Sequence, residues 1–331
     1  MTNIEATSST KPKVKKSQSK PASEKKDQKS DLAQDLPYPH LNSVARELMK
    51  ESDAVRIRAI RQGSWLPLPH AKEAIERMEI LLDYPPVTRM PSLLLVGASF
   101  SGKSTILERF LSLHPPDVDP ASEIMTCPVV MIDAPPKPDI ADFYSRILDA
   151  IMAKYQSRAA SHEKYSQIKL MFRQLGVKML IIDEIHHLIA GSLNRQREFR
   201  NALKSLSNET KVCLVAAGID EAYNAFNADP QMSSRFIPLK LPSWRTDQNT
   251  GILLATLQKR IPVKYPSDLD SPESLLTIVN RAEGSLGDIF DLVKEVAVAA
   301  IQSGEEKLSL KLIKGIDWVP PSRRKNYRPP L

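Results

Sequence analysis

Gly97-Ala98-Ser99-Phe100-Ser101-Gly102-Lys103-Ser104 is the stretch on which the fold turns. It fits G-x-x-x-x-G-K-[ST] at every fixed position. Ser92-Leu93-Leu94-Leu95-Val96 runs into it, a short apolar segment of the kind buried on both faces of a sheet. Thr105, Ile106, Leu107 and Phe110 follow at helical spacing. Glycine is scarce, 11 residues in 331, yet two stand where the backbone must curl. A strand, a tight turn and a helix start bring several N–H groups to one point, beside the positive end of a helix dipole. The pattern predicts a triphosphate cradle of Gly97, Ala98, Ser99, Phe100, Ser101, Gly102, Lys103, Ser104 and Thr105. Lys103 reaches the β- and γ-phosphates of ATP, and Ser104 offers its hydroxyl to Mg²⁺.

Outward from the loop, strands and helices alternate. Strands are expected at Val129–Asp133, Lys178–Asp183, Val212–Ala217 and Ile237–Leu241. Helices are expected over Ile140–Tyr155, His162–Leu175 and Arg195–Leu206. This alternation implies right-handed crossovers and a parallel sheet, an α/β fold with a three-layer αβα core over residues 91–243. After Pro242 the strand signals stop, and Thr246–Arg260, Pro272–Glu283, Leu286–Gln302 and Ser309–Lys314 read as helices of a small lid domain, residues 244–316. Before the core, residues 41–90 form a helical extension. Val44, Leu48, Val55 and Ile60 recur up to Gly63, and Ala71, Ile75, Met78, Leu81 and Leu82 share a face beyond Trp65-Leu66-Pro67-Leu68-Pro69.

Met179-Leu180-Ile181-Ile182-Asp183-Glu184 is an apolar strand closed by two carboxylates. At the carboxyl edge of a parallel sheet Asp183 faces the phosphate loop and joins Ser104 in holding the metal, while Glu184 polarises a water toward the γ-phosphate. The rival reading of the pair is an acidic helix cap. His186 and His187 follow directly. Adjacent histidines are expected to point apart, with no third ligand at metal spacing, so structural roles are preferred for them.

The net charge of +7 lies at the two ends. Residues 1–36 carry eight Lys against five acids, and Trp318–Leu331 carries Arg323, Arg324, Lys325 and Arg328 with no acid; the body between is balanced. The first forty residues, rich in Lys, Ser, Pro and Gln, bury too little surface to offset the entropy of ordering and are read as disordered. Residues 317–331 form a basic Pro/Arg-rich tail suited to an extended partner-binding segment. Two distant cysteines, Cys127 and Cys213, argue against a disulfide scaffold. No apolar run approaches a membrane span and no signal peptide is evident, so a cytoplasmic protein is expected.

With these residues in place, residues 41–316 resemble an AAA+ ATPase, and more closely the TniB and TnsC family of transposition regulators, related in role to MuB. The carrying segments are Trp65-Leu66-Pro67-Leu68-Pro69-His70-Ala71, Arg89-Met90-Pro91-Ser92-Leu93-Leu94-Leu95-Val96-Gly97, Ile182-Asp183-Glu184-Ile185-His186-His187-Leu188 and Ser234-Arg235-Phe236. The resemblance implies that Arg235 acts in trans on a neighbour's γ-phosphate, completing a catalytic set of Lys103, Asp183, Glu184 and Arg235. It implies a homo-oligomer, a ring or helical filament on double-stranded DNA, linking a TniQ-type target selector to a DDE transposase, the latter engaged through the tail. DNA contacts are expected at Lys137, in the loop after the second core strand, and at Arg158. Two departures, Gly218-Ile219 after the fourth strand and Gly284-Ser285-Leu286-Gly287-Asp288 with no arginine, predict slow, assembly-coupled hydrolysis. The competing readings are another DNA-associated AAA+ helper, of insertion-sequence or initiator-like type, and a nucleotide-gated scaffold with no DNA role.

Overall fold

A computed structural model of the chain describes residues 37–118, 125–189 and 192–326. The basic segment 1–36 lies outside these residues, as do the last five of the tail. The N-terminal extension contains α1 (Ser43–Leu48), α2 (Asp53–Gln62) and α3 (Pro69–Leu82). The core follows as β1 (Ser92–Val96), α4 (Lys103–Leu113), a small hairpin of β2 (Asp117–Val118) and β3 (Met125–Thr126), then β4 (Val129–Asp133), α5 (Ile140–Ala150), α6 (Ser161–Gln174) and β5 (Met179–Asp183). It continues with α7 (His186–Ile189), α8 (Leu193–Thr210), β6 (Cys213–Gly218), α9 (Asp220–Asn227), α10 (Pro230–Ser233) and β7 (Phe236–Lys240). The lid is α11 (Gln248–Gln258), α12 (Pro272–Ala282), α13 (Leu286–Gln302) and α14 (Leu310–Gly315), and a 3-10 turn spans Pro321–Asn326.

The five long strands form one parallel sheet in the order β4-β5-β6-β1-β7. Their near-continuous apolar runs are required because helices cover both faces. Period-2 alternation divides them: Leu94 and Val96 pack with Phe143, Ile147 and Leu206 on one face, while Leu93 and Leu95 pack with Met78, Leu107 and Phe110 on the other. The expected strands stand within a residue of their predicted limits. The hairpin β2–β3 was not foreseen, since two-residue strands leave no periodic signal. Helix α5 stops at Ala150, short of the expected Tyr155, where Met152 takes a left-handed φ of 54°.

The N-terminal extension divides between two bodies. The continuous helix expected up to Gly63 is broken around Lys50–Ser52 into α1 and α2. Both rest on the lid: Asn42 N–H donates to the Lys259 carbonyl (2.8 Å), and Ile60 and Leu66 join the lid's apolar cluster with Leu253, Ile289 and Val296. Arg56 is buried, donating to both carboxylate oxygens of Glu306 (2.9 and 2.5 Å) and to the Pro262 carbonyl (2.7 and 3.1 Å). Burial pushes the Glu306 carboxyl up, but the hydrogen bonds and charge of Arg56 outweigh it and hold the group below the usual carboxylate range. Helix α3 instead packs on the core through Ala71, Ala74, Met78 and Leu81. Leu66–Pro69 therefore forms a strap between lid and core, and Leu68 touches both clusters.

The start of the tail is docked rather than extended. Trp318 packs on the lid cluster and its Nε1 donates to the Arg281 carbonyl (2.9 Å). Ser322 donates through its hydroxyl and its N–H to Glu283 (2.5 and 2.9 Å), and Arg324 pairs with Asp288 at 2.5 Å. An indole and a guanidinium with partners close by gain more from this surface than from solvent, which composition alone does not reveal. Among the described residues no helix is long and apolar enough to cross a membrane.

Candidate nucleotide-binding site

The loop after β1 curls as its sequence demands. Gly102 takes φ +92°, a left-handed conformation that a side chain disfavours, and caps α4. Phe100 is left-handed as well, at φ 60°. These turns lay successive N–H groups around one concavity at the start of a helix. Lys103 is 5% exposed, and its Nζ donates to the carbonyls of Gly97 and Ala98 (both 2.9 Å). Burial pushes its pKa down, and the charges of Glu184, Asp183 and Asp220 work against that shift.

Asp183 ends β5, two strands from the loop, and its register brings it to the same edge of the sheet. The Ser104 hydroxyl donates to Asp183 Oδ2 at 2.5 Å. Asp183 is buried, and its other oxygen accepts from the Glu184 N–H (2.8 Å). Two hard oxygen donors beside a phosphate cradle suit Mg²⁺. The Ser101 hydroxyl is buried without a hydrogen-bond partner among the described residues, a further polar group fitted to a ligand of this loop.

Glu184 has a positive φ of 53°, a conformation costing a non-glycine residue about 1 kcal/mol or more. It turns the chain off the strand and leaves the carboxylate half-exposed, 3.2 Å from His186 Nδ1. The histidines do not point apart as expected: their rings lie 4.4 Å from centre to centre. With Glu184 they place one ligand-type atom each within 4.8 Å of one another. The two histidines open α7, and the tight turn at Glu184 brings its carboxylate back to them. Burial lowers the pKa of His186.

A cleft of about 950 Å³ opens beside the loop. Its far walls come from the strap and the residues flanking it (Gly63, Ser64, Trp65, Leu66, Leu68, His70), from Arg109 and Ser112 of α4, and from Phe290, Asp291 and Lys294 of α13. Arg109 lies 6.0 Å from the Trp65 ring centre. Arg260 of the lid holds the strap through Ser64 Oγ (2.9 Å) and the Trp65 carbonyl (3.0 Å). Sequence reasoning missed these walls apart from the Trp-Leu-Pro-Leu-Pro run, because they converge from segments some two hundred residues apart. Asp220, at the start of α9, was missed as well; it pairs with Lys240 (2.9 Å) close enough to bear on Lys103.

Lys103, Ser104, Asp183 and Glu184 are thus brought together, and three other predicted residues are not. Arg235 lies just before β7, and its carbonyl accepts from the Ser92 N–H at the amino edge of the sheet. That is the length of a strand from the loop, roughly 16 Å at about 3.3 Å per residue. Lys137 is exposed in the Pro-flanked loop after β4. Arg158 is exposed in the segment between α5 and α6, where Lys164 Nζ donates to both the neighbouring Ser157 carbonyl (3.0 Å) and Ser145 Oγ of α5 (2.9 Å).

A family model described as bacterial TniB protein matches residues 56–246. The chloroplastic chaperone protein ClpC3 of Oryza sativa subsp. japonica is 27% identical over 156 residues, 41% of this chain and 17% of ClpC3. This chain therefore spans under a fifth of that relative's length. Among solved structures, the Aeropyrum pernix ORC2 protein in its ADPNP-ADP complexes has a TM-score of 0.54 at 17% identity, covering 73% of this chain and 65% of that one. Cdc6p from Pyrobaculum aerophilum has a TM-score of 0.54 at 19% identity, covering 78% and 68%. At such identities the likeness is one of fold, an AAA+ core with its helical lid. With the family match extending over more than half of its length, this chain belongs to the bacterial TniB family.

Proposed function

We propose that the protein binds and hydrolyses ATP and, in its ATP-bound form, assembles as a ring or helical filament on double-stranded DNA to regulate transposition. One observation carries the assembly: Lys103, Ser104, Asp183 and Glu184 meet at the carboxyl edge of the sheet while Arg235 lies at the amino edge. An arginine so placed reaches a γ-phosphate only in an adjacent copy. Hydrolysis then depends on contact between subunits, and the nucleotide binds them together.

Within the site each residue has a task set by its surroundings. The N–H groups of Gly97–Ser104 and Lys103 Nζ hold the phosphates; the lysine exchanges the Gly97 and Ala98 carbonyls for phosphate oxygens. Ser104 and Asp183 would hold Mg²⁺, which supplies charge neutralisation between the β- and γ-phosphates. Glu184, freed from His186, takes the proton of the attacking water. Arg235 stabilises the charge that develops on the phosphoryl group. The chain offers Ala217-Gly218-Ile219 where a polar residue would position water, which supports slow turnover and ATP acting as an assembly switch.

DNA would be held by backbone contacts repeated over many subunits, which position the duplex without reading bases. Lys137, stiffened by Pro135, Pro136 and Pro138, is the leading candidate, with Arg158 the second. The TniB membership supports a link between a TniQ-type selector and a DDE transposase. If the tail engages the transposase, it does so from Asn326 onward or by leaving the lid. The test is electron microscopy with duplex DNA, Mg²⁺ and a slowly hydrolysed ATP analogue. Wild type is expected to form assemblies on DNA and Lys103→Ala to form none; Glu184→Gln is expected to assemble and to hydrolyse about 10²-fold or more slowly. Wild-type protein that stays monomeric and ignores duplexes at saturating nucleotide refutes the proposal, and oligomers indifferent to DNA would leave a nucleotide-gated scaffold.

A further inference from the structure

Arg235 has a companion at the amino edge of the sheet. Arg89 precedes β1 by three residues, and β1 runs beside β7 with Ser92 opposite Phe236. This register carries the Arg89 guanidinium to the turn that holds Arg235. Arg89 donates to the Ser234 hydroxyl and to the Gln231 carbonyl, the latter at 3.5 Å. Arg235 donates through Nη1 to Asn208 Oδ1 (2.8 Å), while its Nε is buried with no hydrogen-bond partner among the described residues. Nor does either guanidinium have a carboxylate within ion-pair distance among those residues, whereas Arg56, Arg146, Arg200 and Arg324 each do. Burial and the nearby charge of Arg89 push the Arg235 pKa down.

Two cations facing one another with an idle buried donor are unfavourable for an isolated subunit. A shared anion reverses the sign of both terms. The planar forks of two arginines match the oxygens of a phosphate group, to which each can donate two parallel hydrogen bonds. Neither arginine can serve the loop of its own chain, which opens at the opposite edge of the sheet.

We propose that Arg89 and Arg235 form a two-arginine receptor for the terminal phosphates of ATP held by an adjacent copy of this chain, with Arg89 touching the phosphates directly. The inference rests on the reading of the site as shared between copies and adds a second catalytic arginine to it. Lysine cannot replace Arg89, because a point charge lacks the two-pronged fit.

The test compares ATP hydrolysis by Arg89→Ala, Arg89→Lys, Arg235→Ala and the double alanine variant, each at saturating ATP with duplex DNA. Binding of a fluorescent ATP analogue by dilute, unassembled protein, where each loop acts without its neighbour's arginines, is expected unchanged and shows that each variant is folded with a working loop. Arg89→Ala and Arg89→Lys should both lower kcat by at least about tenfold, a share of the roughly 10³- to 10⁵-fold that an arginine finger contributes. The double variant should be slower than Arg235→Ala alone. Mixing Arg89→Ala with Glu184→Gln should recover activity, because the second protein lends intact arginines to the competent loop of the first. Loss in Arg235→Ala with wild-type kcat in Arg89→Ala overturns this inference and leaves the shared site standing. A double variant no slower than Arg235→Ala reduces Arg89 to a support for its neighbour and overturns direct contact. Intact hydrolysis with weakened duplex binding would make the anion a DNA phosphate, which also overturns it. If neither arginine matters and mixing recovers nothing, the shared-site reading itself fails.

Discussion

Gly287, in the first turn of α13, is where the lid meets the phosphate loop. Its N–H donates to the Phe100 carbonyl at 2.8 Å. A Cβ at this position would lie 2.7 Å from Phe100 Cδ1, 3.0 Å from Phe100 Cβ and 3.2 Å from the Phe100 carbonyl oxygen. The ring is 63% exposed and can swing aside; the backbone contacts cannot be relieved without moving the loop or the lid. Gly287→Ala therefore sets two effects against each other. Alanine favours the helix by up to about 1 kcal/mol, less in a first turn. Against this, overpacking costs about 1–3 kcal/mol and loosening the hydrogen bond about 1 kcal/mol more. The gain lies within the lid, while the larger loss lies between lid and loop, so both stability and affinity should fall. Retreat of α13 withdraws Phe290, Asp291 and Lys294 from the cleft. Of the net loss of about 1–4 kcal/mol, about 1.4–2 kcal/mol felt at the nucleotide would weaken ATP binding by about 10- to 30-fold. Titration with a fluorescent ATP analogue measures this, and thermal unfolding without nucleotide should show a melting point below wild type. Wild-type affinity in the variant would refute the idea that this contact couples lid to loop.

Three other perturbations test other parts of the molecule. Glu306→Ala leaves Arg56 buried without its carboxylate and should destabilise the lid by about 3–5 kcal/mol in denaturant unfolding; a loss under about 1 kcal/mol would show that water or Asp53 takes over. Burial holds the His70 pKa below its ordinary 6.5, against the pull of Glu73. The fold therefore binds fewer protons than the unfolded chain below pH 6.5, and the stability contributed by neutral His70 is complete above that pH and lost as the pH falls toward the folded value. His186 adds a slope of the same sign, so the measure is the difference between wild type and His70→Phe, which keeps the contact with Trp244 and should flatten the acid limb. Lys137→Glu should weaken duplex binding and flatten its dependence on log salt by about 0.9 per contact removed; an unchanged slope would take Lys137 out of the DNA surface.

What the sequence determined by itself was whatever short-range pattern encodes. The apolar runs of β1 and β5 give strands because both faces are buried, with polar residues only at their ends, Ser92 and Asp183, and Gly102-Lys103-Ser104 gives a tight turn into α4 because Gly102 supplies the left-handed backbone that opens the helix. Asp183 and Glu184 were legible for the same reason: a strand's carboxyl end fixes where its last residues stand. The contacts between distant segments were decided only by the tertiary structure. Helix α2 belongs to the lid because Arg56 finds Glu306, 250 residues away. Trp318 leaves the tail for the lid's apolar cluster, and the turn at Glu184 brings its carboxylate to His186. Arg89 meets Arg235 through the pairing of β1 with β7, a partnership no window along the chain contains. Local propensity is additive over a few residues and can be read in order. Which surfaces meet depends on burying each apolar face against another, and that balance is struck over the whole chain at once.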